Sequence, residues 1–302
     1  MADVAGAIRA FGVAGVVTRG VYAALRTRRD ARFERRNYAG RTVDLYSGPA
    51  VALGALAGCA TLSTPRARAA GLLAVGAGAL CGAYDDVRGD HRRGFRAHLA
   101  ALRGGEVTSG AVKLIGIGGA GLAAGALLKE RPLDKVLAGI VVAGTAHLVN
   151  LVDLRPGRAT GVALALGASG LRRGAAAAVP MGAAVAVLAD DLGERTMIGD
   201  GGAHAVGAAV GVALAGGWGR GGLVAGAVGV LGAAAWGERR AVRCAARAGV
   251  GGGASRAVPR APDPSRSCGS WSLLAQFLAP PTPLDPAGRD RSSRRSPPDV
   301  CQ

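Results

Sequence analysis

Apolar blocks divided by short polar breaks run along most of this chain. The blocks fall near 2–25, 45–63, 69–84, 110–128, 134–152, 159–171, 174–189, 201–217 and 221–237. A helix needs roughly 20 predominantly apolar residues to cross a hydrocarbon core; several blocks are shorter, so their boundaries are soft and two of them are compatible with half-spans. The expected architecture is all-α: a polytopic transmembrane helix bundle of about eight or nine spans over 1–238. The block at 2–25 is the weakest, because it carries Arg9 and Arg19.

Composition sharpens this reading. Half of the 302 residues are hydrophobic and 51 are glycine, yet only 4% are aromatic. A soluble core of this size leans on Phe, Tyr and Trp for buried area. Chains rich in Ala, Val, Leu and Gly suit helices in lipid, where small residues let backbones approach. The long apolar runs exclude disorder throughout.

A formal charge of +17 invites a nucleic-acid reading. Its placement argues otherwise. Lys113, Lys129 and Lys135 are the only lysines, and apart from Arg9 and Arg19 the arginines cluster in the polar breaks and the last sixty-odd residues. No aromatic-studded basic face offers stacking for bases, so no nucleic acid is expected as a partner. Arginine in the breaks is how membrane topology is fixed. The string RTRRDARFERR over 26–36 places the first break on the cytoplasmic side. Alternation puts 85–109, 153–158, 190–200 and everything from 238 on that side, with the N-terminus outside. Arg66, Arg68, Arg172 and Arg173 run against the rule but are outnumbered.

The five cysteines form no CxxC pair and no zinc spacing. The N-terminus lacks the charged region and cleavage site of an ordinary signal peptide. Residues 239–302 hold nine of the fourteen prolines and eleven arginines, which predicts a disordered basic tail. Its composition also fits a GC-rich coding sequence read out of frame.

The same topology gathers the acidic breaks on one side: Asp85, Asp86 and Asp90, then Asp153, then Asp190, Asp191 and Asp200. Carboxylates at helix ends on one membrane face are costly without a purpose, and there they can share a cation. The bland alternative is a set of solvated loop residues.

These clusters lie in four strings: AYDDVRG over 83–89, TSGAVKLIG over 108–116, HLVNLVDLRPGRA over 147–159 and MIGDGGAHAVG over 197–207. In this order they resemble the polyprenyl-phosphate N-acetylhexosamine-1-phosphate transferases, the superfamily of phospho-N-acetylmuramoyl-pentapeptide transferase and the GlcNAc-1-phosphate transferases. Asp85 and Asp86 match the family's aspartate pair, and Lys113 its downstream lysine. Asn150 and Asp153 match the third string; Gly199, Asp200, Gly202 and Gly207 match the fourth. The string RNYAG over 36–40 and the pair Gly48 and Pro49 look like the family's first cytoplasmic loop and the helix after it. The resemblance covers about 35–237.

What the resemblance implies is a multi-pass cell-membrane enzyme that moves a sugar-1-phosphate from a UDP-sugar to a polyprenyl phosphate. The reaction is Mg²⁺-dependent, serves cell-wall or peptidoglycan synthesis, and takes place at the cytoplasmic face. Asp85, Asp86, Lys113 and Asp153 would be catalytic. Asn150, Gly199 and Gly202 would bind the nucleotide or cofactor. Asp200 and Asp86 would hold the metal, and glycine on both sides of Asp200 lets phosphate and metal approach the backbone. A homodimer is compatible with the sequence.

Departures keep a second reading open. His147 stands where the family has its first Asn, Leu154, Arg155 and Pro156 replace a Gly-x-Asp, Ala203 replaces a Ser, and no histidine follows His204. The alternative is a catalytically inactive relative, a membrane scaffold or lipid-phosphate binder. A solute transporter should show internal repeats, and none is visible. The GIGGAG string over 116–121 fits a dinucleotide-binding fingerprint by letter only, since it lies within an apolar block. His91 and His98 lack partners at zinc spacing.

Overall fold

The computed structural model describes residues 3–28, 30–37, 39–88 and 95–249. Helix accounts for 81% of the structure. Among the described residues, ten α-helices follow one another: α1 (Val4–Arg26), α2 (Ser47–Ala60), α3 (Pro65–Arg88), α4 (Phe95–Arg103), α5 (Ser109–Leu128), α6 (Pro132–Val152), α7 (Arg158–Gly170), α8 (Ala178–Leu192), α9 (Gly199–Gly217) and α10 (Arg220–Gly249). All the site residues fall in the compact unit Met1–Ala241; of the unit Val242–Gln302, the described residues are the end of α10. Helix α10 therefore enters the stretch read as a tail, and the rest of that stretch lies outside the described residues.

Among the described residues, five segments are long and apolar enough to cross a membrane: α1, α3, α5, α6 and the stretch Ala175–Leu192 that ends in α8. Helix α2, at 14 residues, and α7, at 13, are shorter. At 1.5 Å per residue they reach only about 20 Å, short of a hydrocarbon core.

The helices start where local chemistry starts them. Asp3 caps α1 by accepting the Gly6 amide at 2.8 Å, and Thr108 caps α5 by accepting the Ala111 amide at 3.1 Å. Proline opens α3 and α6, where its missing N–H costs nothing. Two of the three arginines of α1, those in its apolar interior, are also accounted for. Arg9 donates to the Thr61 carbonyl at 3.1 Å, and Arg19 meets the buried Asp190 at 2.7 Å. A charge inside an apolar span is tolerated when it is paired in this way.

Helix α9 is the axis of the bundle. Every residue over 201–215 is buried, and α9 packs on α2, α3, α6 and α7. Glycine and alanine dominate it, so its neighbours approach at backbone distance rather than through large side chains.

Three features differ from the sequence expectation. A two-stranded antiparallel ribbon, β1 (Glu34–Arg36) with β2 (Thr42–Asp44), interrupts an otherwise helical chain, pairing Arg35 with Val43. Its tight return turns at Gly40, with φ of +78°, while the Asn37 carboxamide accepts the amides of Ala39 and Arg41. Helix α4 occupies part of a stretch read as loop; residues 89–94, including Asp90 and His91, lie outside the described residues. Asp85, Asp86, Asp190 and Asp191 sit within the last turns of α3 and α8 rather than in the breaks beyond them.

Candidate active site

Three helix ends meet at one end of the bundle. Helix α3 brings Asp85 and Asp86 in its final turn, α5 brings Lys113 near its start, and α9 brings Asp200 in its first turn. The Lys113 ammonium donates to Asp85 Oδ2 at 2.5 Å and to Asp200 Oδ2 at 2.7 Å. These side chains are between a fifth and a third exposed, so the triad is neither dry nor freely solvated.

Backbone proximity makes the meeting happen. A Cβ on Gly82 would stand 2.7 Å from Gly201 Cα and collide with the Asp200 carbonyl. Only glycine lets α3 cross α9 at that depth, one turn before the aspartate pair. Gly199, with φ of +56°, makes the bend that leads into α9.

Asp86 is held differently from Asp85. Its Oδ1 accepts the Asp200 amide at 3.0 Å and its Oδ2 accepts the Gly201 amide at 2.9 Å. The Asp86 carbonyl in turn accepts from Arg35 Nη2 at 3.1 Å, which ties the β1 strand to the end of α3.

Beside this cluster is a cavity of about 250 Å³, walled by Asp86, Asp153, Gly199 and Asp200 on one part and by Arg35 and Arg36 on another. A smaller recess of about 30 Å³ shares Asp153 and Met197 with it and is bounded by Asn37, Asp191 and Glu194. Acidic and guanidinium groups thus face one space. Burial pushes the Asp153 carboxyl well above the ordinary carboxylate range, and the charges of Asp191, Asp200 and Asp86 add to the effect.

The walls are stitched together by polar contacts. Thr196 Oγ1 donates to the Asp44 carbonyl at 3.0 Å and bonds Ser47 Oγ at 2.8 Å, and the Met197 amide donates to the Asp44 carbonyl at 2.9 Å. Asn37 donates to Glu194 at 2.6 Å. Thr160 donates to the buried Asp191 at 2.9 Å. Asp190, also buried, takes Arg19 at 2.7 Å and Arg195 at 2.8 Å.

Of the residues singled out from the sequence, Asp85, Asp86, Lys113, Asp153, Gly199 and Asp200 come together here. Two do not. Gly202 turns away from the cavity: a Cβ there would meet Gly48 Cα and Ile198 Cβ at 2.9 Å, so its part is to let α2 pack on α9. Asn150 is absent from both cavity walls and contributes its carbonyl to the Asp153 amide at 3.1 Å, at the end of α6. The glycine string over 116–121 lies within α5, and Gly121 packs on Gly139 and Ala143 of α6. His98 meets the capping hydroxyl of Thr108 at 2.9 Å. Sequence reasoning missed Arg35 and Arg36 as cavity residues, having taken Arg35 as part of a topology signal and Arg36 also as the start of a loop string.

Among the described residues, no group of three or more His, Cys, Asp or Glu is arranged to hold a metal ion. The donors that do converge, Asp85 and Asp200, are oxygen ligands already gathered around one cation, the Lys113 ammonium. That set fits Mg²⁺ in the mode where one or two carboxylates and substrate phosphates share the ion, and it does not fit an all-protein cage. No family model, curated protein or solved structure matches this chain.

Proposed function

We propose that this protein is a multi-pass membrane transferase of about eight or nine spans, acting at the cytoplasmic face of the cell membrane. It would move a sugar-1-phosphate from a UDP-sugar to a polyprenyl phosphate, as the resemblance of the four strings to that superfamily implies. The observation that carries the reading is the meeting of Asp85, Asp200 and Lys113, from three separate helices, beside a cavity that Arg35 and Arg36 also line.

Such a reaction brings two phosphorylated anions together. The arginines supply charge and fork-shaped donors for phosphate oxygens. Lys113 supplies a compact charge whose partners are carboxylates in the resting chain, and phosphate oxygens compete for it when substrate enters. Asp200, with Asp85 beside it, would hold Mg²⁺, which when bound neutralises phosphate charge and stabilises the departing UMP. Asp85, whose oxygens are not taken up by the α9 amides as those of Asp86 are, would take a proton from the acceptor phosphate. Asp153 lies on the cavity wall, where a protonated carboxyl can donate to a ligand oxygen.

Purified protein in detergent or nanodiscs, given Mg²⁺, a polyprenyl phosphate and a panel of UDP-sugars, should release UMP with one of them. Asp200→Asn should lower that rate at least a hundredfold. No UMP release from any pairing, or an Asp200→Asn variant as active as the parent, would refute the assignment.

One observation favours an inert relative instead. Lys113 already pairs with both Asp85 and Asp200 within the chain, and an internally paired cluster of this kind holds helices together without chemistry. Binding of polyprenyl phosphate without turnover identifies that case.

A further inference from the structure

We propose that Asp86 is a positioning residue and not a metal ligand: from α3 it clamps the first turn of α9 and thereby fixes where the Asp200 carboxylate points. Its consequence for catalysis rests on the transferase reading; its geometry does not.

The first turn of a helix carries amides with no intrahelical acceptor. In α9 the first intrahelical bond runs from the Gly202 amide to the Ile198 carbonyl at 3.1 Å, which leaves Gly199, Asp200 and Gly201 before it. No side chain at the α9 N-cap takes up these donors. Asp86 takes two of them from another helix, one on each oxygen, at 3.0 and 2.9 Å. A carboxylate at a helix N-terminus gains from charge-assisted bonds and from the helix dipole together.

The position of these two amides gives the clamp its purpose. They belong to the residue that carries the Asp200 carboxylate and to the residue after it, so both bonds fix the backbone from which that side chain departs. What freedom remains to Asp200 is rotation of its own side chain, and Lys113 restrains that at 2.7 Å. Two glycines admit the clamp. Gly82 lets α3 reach α9, and at Gly199 a Cβ would stand 3.2 Å from both Asp86 oxygens, at a φ that side chains rarely adopt. The neighbouring acids therefore divide their work: Asp85 faces the ammonium and the Asp86 oxygens face the backbone.

The test compares the full chain with Asp86→Asn, Asp86→Ala and Asp200→Asn variants in nanodiscs, by amide hydrogen exchange, Mn²⁺ binding and UMP release. Asp86→Ala should speed exchange at the 199–202 amides at least tenfold while the amides over 207–214 stay protected, and Asp200→Asn should leave both sets protected. Asparagine at 86 keeps one oxygen acceptor. That variant should hold Mn²⁺ affinity within about threefold of the parent and lower kcat about tenfold with KM little changed, whereas Asp200→Asn should lose Mn²⁺ affinity at least tenfold. The proposal is overturned if Asp86→Asn loses Mn²⁺ as far as Asp200→Asn does, or if first-turn exchange is unchanged in both Asp86 variants. Should Asp86→Ala also expose the 207–214 amides, the isosteric Asp86→Asn decides alone. A parent that releases no UMP yet shows the exchange contrast keeps the clamp and removes the transferase reading.

Discussion

The crossing of α3 and α9 at Gly82 should be the least forgiving point near the site. Adding one methyl group there, Gly82→Ala, places a carbon 2.7 Å from Gly201 Cα, with the Asp200 carbonyl nearer still. Carbon atoms settle at about 3.5–4.0 Å, so the two helices must part by roughly 1 Å. The obstructing atoms are backbone, and no flexible side chain can yield in their place. Overpacking of this kind costs roughly 1–3 kcal/mol. The substitution also brings a gain, since alanine is a better helix former than glycine by about 1 kcal/mol.

Gly118→Ala in α5 is the internal control, because a Cβ there meets nothing within 4 Å. The propensity gain is common to both variants, so the difference between them isolates the strain. At about 2–4 °C per kcal/mol for a domain of this size, Gly82→Ala should melt roughly 2–12 °C below Gly118→Ala. Circular dichroism in one detergent at one scan rate makes the comparison fair even if unfolding is irreversible. A displacement of about 1 Å at the site should also lower UMP release by up to about a hundredfold. Equal melting temperatures for the two variants would show that α3 and α9 do not cross where described.

Two further outcomes follow from the charges. Lys113→Met leaves the Asp85 and Asp200 carboxylates facing each other without their cation and should destabilise by roughly 1–3 kcal/mol; adding Asp85→Asn should recover part of the loss, seen in the same melting assay. Asp153 should give the melting temperature a pH slope: its carboxyl titrates above the ordinary range, so the folded chain keeps a proton that the unfolded chain gives up. The stability is therefore full below about pH 4 and falls as pH rises through the folded value. Asp153→Asn should flatten that slope and melt higher than the parent at pH 8, and an unchanged slope would refute the burial of this carboxyl.

Hydropathy anticipated the long helices because their signal is local. The blocks at 2–25, 69–84, 110–128 and 134–152 each fall on a helix long and apolar enough to cross a membrane. The ribbon at 34–44 escaped because its strands are three residues each and one is wholly charged, which leaves no alternation to detect. The acidic residues were legible as a set, because the expected order of spans gathers them on one side, and the structure brings Asp85, Asp86, Asp153 and Asp200 together. Their division of labour was not. The bonds from Asp86 to the α9 amides join residues 114 and 115 apart in sequence, and the orientation of a carboxylate has no sequence signature. Gly202 parts from the cavity for a simpler reason. A motif groups neighbours in the chain, but each helical residue turns about 100° from the last, so Gly202 faces α2 while Asp200 faces α3 and α5.

The two readings of function separate on the cost of the ionic triad. At the other end of the bundle, Arg66 with Glu130 is an exposed pair of the kind that is worth little either way. Lys113 with Asp85 and Asp200 is different: the side chains are largely withdrawn from water, yet one edge opens toward a cavity of about 250 Å³ lined by arginine. Withdrawn ion pairs are often no more stable than apolar side chains of the same shape, so stability alone is a weak reason for their presence. A scaffold that only holds helices together would be served as well by leucine or methionine at these positions. A site that must exchange the partners of its charges when a phosphorylated ligand enters requires them to be charged and only part-buried. The half-open burial of this triad therefore counts on the side of the proposed chemistry, in which the internal pairing of Lys113 would be the arrangement that a phosphorylated ligand displaces.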